Sequence, residues 1–382
     1  MYSSAVGLIN QKVEIKVLAI NTPKNWIEIN SLPADFRGKT RFEFSIADTR
    51  FKPLRAVINL FTSKSYLVER FYSEGYNAAL IRILKVEEFD VVQLEHLYMC
   101  LYLDTIRKHS KAKVILRPQN VETQVWKRFM KNTINPVIKI YLRVAIRRLE
   151  EFEIQMANKV DGIIAISAAD AGSFREYAPG MPIVNVPIGY DFNTGRKYDP
   201  LKQFDEFPSF YHLGSMDWAP NVQSIKWFIE EVLPFIVKKY PEFTFRIAGK
   251  KMPLWIYKRQ NNNLVVDGEV KDSMEYHERN SIMIVPLLSG GGLRAKIIEG
   301  MALGKTIIST TIGAEGIPYV DGQNILIANT REDFARQIKK CQDSWEFCQK
   351  IGRNAQLLAR ENFDNINAAS SMLQFYDRVK ES

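Results

Sequence analysis

Cysteine is scarce in this chain and shows no pattern. Cys100, Cys341 and Cys348 have no metal-ligand spacing and, being three, cannot all pair. That argues against a disulfide framework and fits a reducing compartment. Long apolar runs are missing too: no stretch reaches the about eighteen apolar residues that a span requires. The first residues lack a basic segment followed by an apolar one, so neither a membrane span nor a signal peptide is expected. The expected location is the cytoplasm. Also absent are a short-period repeat, a low-complexity tract, a Ser/His/Asp order, a kinase signature and a cluster of metal ligands, so no metal is expected. Gly304-Lys305-Thr306 looks like the end of a P-loop, but the glycine required five residues earlier is Glu299. The order there is also helix, turn, strand rather than strand, loop, helix.

What is present is a soluble globular composition, with 46% apolar and 25% charged residues over 382 positions, a length that predicts two domains. Net charge is +9, and a basic surface concentrates anions. Much of that charge lies between Lys127 and Arg148, where seven basic residues occur with no acidic one. The same stretch lies within a helical pattern over 136–160, with Ile138, Leu142, Ala145, Leu149, Phe152 and Met156 on one face and Lys139, Arg143 and Arg147 four apart on another. Such a run reads as a solvated outer face or as peripheral contact with an anionic membrane, on the inner face. Nucleic acid is not expected, because no recognition motif or aromatic platform accompanies the charge.

Strand-like and helix-like segments alternate along the chain. Strands are predicted at 13–20, 42–46, 90–94, 113–117, 162–167 and 183–187, and again at 209–213, 243–248, 264–266, 282–286, 306–310 and 324–328. Helices are predicted at 54–63, 66–84, 97–110, 222–240, 293–302, 331–344 and 355–380. This alternation predicts an α/β protein with parallel, doubly wound sheets. Residues 191–208 carry turn formers and charge without an apolar period, and read as an interdomain linker.

The most informative stretch is Ser281 to Ala328. An apolar run ends at Pro286, followed by the glycines Gly290, Gly291 and Gly292, a helix with Arg294, Lys296 and Glu299, and a second strand. Strand, glycine turn, helix, strand is a crossover unit whose helix start faces the carboxyl ends of the strands, where open sheets bind ligands. A helix start attracts anions, phosphate above all, because its first N–H groups lack partners and its dipole is positive there. Arg294, read as lying in the first turn, is mildly opposed by that dipole, and a bound diphosphate would reverse the sign. Lys296 and Glu299 are three apart and share a face, offering a cation for phosphate and a carboxylate for sugar hydroxyls. Gly214 and Ser215, Gly249 and Gly268 follow other strand ends of the same half. His96 follows a strand in the first half.

These residues resemble the retaining glycosyltransferases of family four, glycosyl transferases group 1. The segments LGSMDWAPN, RIAGKKMP, VDGEV and PLLSGGGLRAKIIEGMALGKTIISTTIGAEGI carry the resemblance, which spans nearly the whole chain. It implies two facing Rossmann-like domains, the GT-B fold: an acceptor-side domain over 1–194, a donor-binding domain over 195–361, and a helix over 362–382 that crosses back to the first domain. It implies a nucleoside diphosphate sugar as co-substrate, with Gly291, Gly292, Leu293, Arg294 and Lys296 at the diphosphate, Gly290 in the same donor-binding turn, Glu299 on the ribose, and Gly268, Glu269 and Val270 near the base. Gly214, Ser215 and Gly249 complete the donor side.

The sequence departs from the family at three places. Gly291 stands where the first of two glutamates is expected, the second being Glu299. Gln119, in RPQNVE, stands where relatives often carry histidine, and is placed with His96 at the donor sugar or the acceptor. The first strand of the fold and its glycine turn are not recognisable, since Met1 to Gln11 reads as the tail of a helix. The expected activity is hexosyl transfer to a glycan or lipid-linked acceptor in surface polysaccharide biosynthesis, with Arg294 and Lys296 catalytic, no metal and no further cofactor. The alternative is a catalytically impaired GT-B protein that binds a nucleotide or a partner at a membrane surface. A dinucleotide-dependent oxidoreductase is disfavoured, because the strand after the glycine helix ends in Ser309, Thr310 and Thr311 rather than an acidic residue.

Overall fold

The computed structural model describes residues 2–381 apart from 24–25, 60, 63, 132 and 194–206. Most of the segment read as a linker, 191–208, lies outside the described residues. The chain forms two compact units, Met1–Gly189 with Asn365–Ser382, and Tyr190–Asp364.

In the first unit, β3 (Val91–Glu95), β4 (Lys113–Arg117), β5 (Gly162–Ala165) and β6 (Ile183–Asn185) form a parallel sheet in that order. A separate parallel pair is made by β1 (Leu18–Asn21) and β2 (Glu43–Ile46). Tyr2–Asn10, ahead of these strands, is helical. Alternation along β4 sends Val114 and Leu116 to one face, where they pack with Leu84, Leu103, Leu149 and Phe174, and Ile115 to the other. That other face is covered by Met372, Phe375 and Val379 of the final helix, Asn365–Glu381. The helix Tyr2–Asn10 lies against its start so closely that a methyl at Gly7 would stand 2.4 Å from the Asn365 carbonyl oxygen. Unbroken helices predicted from periodicity are interrupted at identifiable residues. The span 66–84 breaks because Ser73 caps a new helix, Glu74–Val86, by accepting from the Tyr76 N–H. The span 97–110 opens as a 3-10 turn, Leu97–Tyr102, after His96 at φ 109°.

In the second unit β7 (Phe210–Leu213), β8 (Phe245–Ala248), β9 (Leu264–Gly268), β10 (Ile282–Val285), β11 (Thr306–Ser309) and β12 (Leu326–Ile327) form one parallel sheet. Its order is β9-β8-β7-β10-β11-β12, so the winding reverses between β7 and β10. This is the doubly wound dinucleotide-fold order, with its switch point at that pair. The helix predicted at 222–240 runs as Ala219–Trp227, a π turn over Phe228–Val232, and Leu233–Lys239. Pro234 has no N–H to continue the regular ladder, and the wider turn absorbs the mismatch. The apparent final helix is two: Trp345–Phe363 belongs to this unit, and the extended backbone of Asp364 separates it from Asn365–Glu381.

Lys305, the lysine of the false P-loop, is buried and donates to the Asn280 carbonyl at 2.9 Å. Beside it Gly352 of the helix Trp345–Phe363 lies on the turn that ends the helix Ala295–Ala302. A methyl at Gly352 would stand 2.0 Å from the Gly304 carbonyl oxygen. Gly352→Ala is therefore expected to destabilise the protein by about 2 kcal/mol or more and to lower its melting temperature by several degrees in thermal unfolding.

Candidate functional site

The carboxyl ends of β7, β8 and β9 meet at three glycines. Gly214 N–H donates to the Ala248 carbonyl at 3.0 Å and Gly249 N–H to the Gly268 carbonyl at 2.7 Å. Side chains have no room here. A methyl at Gly249, at φ 152°, would stand 1.8 Å from the Gly214 carbonyl oxygen, and one at Gly268, at φ 70°, 2.6 Å from the Tyr257 hydroxyl. Glycine lets the backbones close up, and the strand ends present peptide groups rather than side chains.

Across the switch point Lys296 reaches this floor. Its ammonium donates to Asn221 Oδ1 at 2.9 Å and lies 3.4 Å from His212 Nε2. Asn221 is oriented by donating from Nδ2 to the Ser215 carbonyl at 2.7 Å. His212 Nδ1 is 2.8 Å from the Ile284 carbonyl, an acceptor only, so the proton is assigned to Nδ1 and Nε2 turns a lone pair to Lys296. Burial, and then the Lys296 charge, push the imidazole well below its usual range. Burial, and then the neighbouring Arg294, bring the Lys296 ammonium down to about 7. Both of its hydrogen-bond partners are thus neutral, and among the described residues no carboxylate pairs with this half-buried ammonium.

The glycine turn stands beside it, with Gly290 at φ 120° and Gly292 at φ 74°. Arg294 is not in the first helical turn, as the sequence reading had it, but is the N-cap of Ala295–Ala302 in extended conformation. Its guanidinium folds back to donate to the carbonyls of Gly291 and Gly292 and lies 5.5 Å from the Trp218 ring centre. The helix dipole therefore does not oppose Arg294 as expected: Arg294 braces the turn, and no side chain caps the helix start.

One turn on, Glu299 is half-buried and its carboxyl is raised by burial. It does not pair with Lys296. Its carboxylate lies 3.9 Å from His277 Nε2, on an imidazole that burial, and then Lys305, bring down to about 3 and so keep neutral. The Tyr211 hydroxyl meets His277 Nδ1 at 2.6 Å. Ser215 is half-buried and donates to Asp217 at 2.7 Å, Leu293 is buried beneath the turn, and Glu269 and Val270 follow β9, the first of them exposed. Asn221, Trp218, Tyr211 and His277 escaped the sequence reading. The first two lie in the quoted LGSMDWAPN segment, whereas the last two are ordinary strand and helix residues with no local signal.

Gln119 and His96 belong to the other unit. Gln119 Nε2 donates to Glu95 Oε2 at 3.0 Å, and Arg117 Nη1 lies 3.4 Å from the same carboxylate. His96 stacks on Tyr98, with Nδ1 3.7 Å from Glu122, and burial lowers its pKa. Its positive φ is costly for a non-glycine residue. Among the described residues no group of three or more His, Cys, Asp or Glu side chains could hold a metal ion.

Residues 208–344 match the family model described as glycosyl transferases group 1, a range that contains the whole switch-point site. The chain is 24% identical over 305 residues to a Klebsiella pneumoniae protein described as an uncharacterized 44.6 kDa protein in the cps region, covering 77% of this chain and 75% of that one. Among solved structures it is similar to sucrose-phosphate synthase of Thermosynechococcus elongatus, with TM-score 0.67, 10% identity, and coverage of 98% and 91% of the two chains. HepE of Anabaena, in complex with UDP-glucose, gives TM-score 0.63 at 12% identity over 99% and 96%. TarM gives 0.62 at 16% identity over 82% of this chain, which spans 60% of TarM. The fold is GT-B, built from two Rossmann-like domains.

A methyl at Gly214 would stand 2.6 Å from Lys296 Nζ and 2.9 Å from His212 Nε2. Gly214→Ala is expected to fold at a cost of about 1–3 kcal/mol while displacing the flexible lysine toward solvent. NMR titration of labelled lysine should then move Lys296 upward from about 7.

Proposed function

We propose that this protein is a glycosyltransferase that moves a sugar from a nucleoside diphosphate sugar to an acceptor hydroxyl in surface glycan or glycolipid biosynthesis. The observation that carries this reading is the Lys296 ammonium, held at the switch point by two neutral partners beside a glycine turn. A diphosphate supplies the missing counter-charge. The family match over 208–344, the UDP-glucose bound by HepE and the cps region of the Klebsiella relative support the same reading.

In the proposed reaction the bond from the anomeric carbon to the diphosphate oxygen breaks, the acceptor oxygen bonds to that carbon, and the acceptor hydroxyl gives its proton to the departing diphosphate. Charge grows on the leaving diphosphate, where Lys296, the start of Ala295–Ala302 and Arg294, once turned from its own carbonyls, stabilise it. Glu299 accepts from ribose hydroxyls, and the turn 268–270 lies at the base. On this reading hexosyl transfer retains anomeric configuration, as in family four, and needs no bound metal. The acceptor is a glycan or a lipid-linked saccharide. Buried, unpaired Cys100, Cys341 and Cys348 fit the cytoplasm as its site of action. Two observations favour a second reading, a nucleotide-binding subunit without turnover: the Gln119 amide is already engaged by Glu95, and Gly291 offers no carboxylate.

Screening nucleotide-sugars by thermal shift separates these. A donor at a hundred times its dissociation constant should stabilise by about 2.7 kcal/mol. Product formation with that donor supports the transferase, and binding alone the second reading. Arg294→Ala should lower kcat/KM by roughly 100-fold or more; unchanged turnover would sink the diphosphate assignment.

The Lys296 titration supplies an independent test. In the free protein its pKa is depressed from 10.5 to about 7, so its contribution to stability is complete above 10.5 and is lost as pH falls toward 7. A bound diphosphate favours the charged form, so binding between these values takes up protons and weakens as pH rises. Calorimetry near pH 8 in buffers of different ionisation enthalpy should show that uptake, and Lys296→Met should abolish it.

A further inference from the structure

The helix Pro136–Ala157 begins where Asn135 accepts from the N–H groups of Val137 and Ile138, with Pro136 in the first turn. An apolar residue just before such a cap ordinarily folds back onto the helix. Here Ile134 is 96% exposed. The outward face of the first two turns continues it: Val137, Ile140 and Val144, spaced three and four apart, are exposed, Val137 at 73% and Ile140 at 64%. Lys139 and Arg143, four apart, run along the adjoining stripe, and Arg147, four further on, pairs with Glu151 at 3.1 Å.

A second apolar edge adjoins this one. The short helix Pro53–Asn59 and the turn after it are tied to the middle of the long helix, Arg148 Nη1 donating to the Asn59 carbonyl at 2.9 Å and Ser65 Oγ to the Ala145 carbonyl at 2.9 Å. Phe51 meets the Tyr141 ring edge-on. On that edge Leu54 and Phe61 are 73% and 90% exposed.

We propose that this face of the first unit docks on a lipid bilayer rich in anionic phospholipid, the long helix lying in the interfacial plane. Large aliphatic and aromatic side chains enter the acyl boundary while the flanking lysines and arginines meet headgroup phosphates. The charge pattern selects this occupant. A second copy of the chain, packed about a two-fold axis, would set the acid-free run 127–148 against itself, and like charges across an interface cost affinity. The inference goes beyond the proposed activity and does not depend on the switch-point site.

Sedimentation of the full chain with vesicles tests it. The protein should pellet with phosphatidylcholine vesicles containing phosphatidylglycerol, and largely stay in the supernatant with phosphatidylcholine alone. Combined Ile134→Asp, Val137→Asp and Ile140→Asp, all at exposed positions, should abolish pelleting without changing the melting temperature appreciably. Lys139→Glu with Arg143→Glu should lower partitioning roughly tenfold or more. Three results overturn the proposal: no pelleting with either vesicle, equal pelleting of the wild type and the aspartate variant, or a wild-type dimer that the aspartate variant dissociates. Thermal stabilisation by a nucleotide-sugar, measured on the same variants, reads the donor site separately, so a failure there leaves the docking result standing.

Discussion

The site of the second unit depends on a half-buried lysine ammonium that pairs with no carboxylate among the described residues. Lys296 is held by the amide oxygen of Asn221 and faces an imidazole lone pair of His212, and neither neutralises it. A displacement from 10.5 to about 7 corresponds to a few kcal/mol, on the order of the cost of many core substitutions. A fold retains such a cost where an anion arrives to offset it, which is why perturbed titrations gather at functional sites. The neighbouring features follow from that contact. Gly214 is small because the ammonium lies where its side chain would be, Asn221 is oriented by the Ser215 carbonyl, and His212 is kept neutral by burial and then by the Lys296 charge.

The glycine turn serves the same purpose by another route. Gly290 and Gly292 adopt backbone conformations closed to most residues, and Arg294 ties the resulting carbonyls together from below. A turn held in this way exposes the helix start next to Lys296, so two sources of positive potential converge. Glu299 remains unpaired with Lys296 because the two side chains on one helical face diverge, one toward β7 and the other toward His277. Separation keeps the cation and the acceptor available to different parts of one ligand.

Much of this architecture was legible from local pattern. The alternation of short Val- and Ile-rich strands with helices, the glycines at strand ends and the shared face of Lys296 and Glu299 are all short-range properties. Helix interruptions were less legible. Ser73 and Pro234 are the residues responsible, yet each lies inside an apolar period strong enough to hide it. The break at Asp364 was missed for a similar reason, because both helices it separates are amphipathic and only their different partners distinguish them.

The sequence by itself determined the period of each element, the positions where only glycine would serve, and the concentration of cations between Lys127 and Arg148. Tertiary structure decided what these do. His212, Asn221 and Lys296 are separated by up to 84 residues and meet only because the winding reverses between β7 and β10. The charge state of Lys296 depends on how much water that meeting excludes, and no local pattern encodes desolvation. In the same way Ile134 and Val137 read as ordinary apolar residues in the sequence. Only the packing of the long helix by its opposite face leaves them outside.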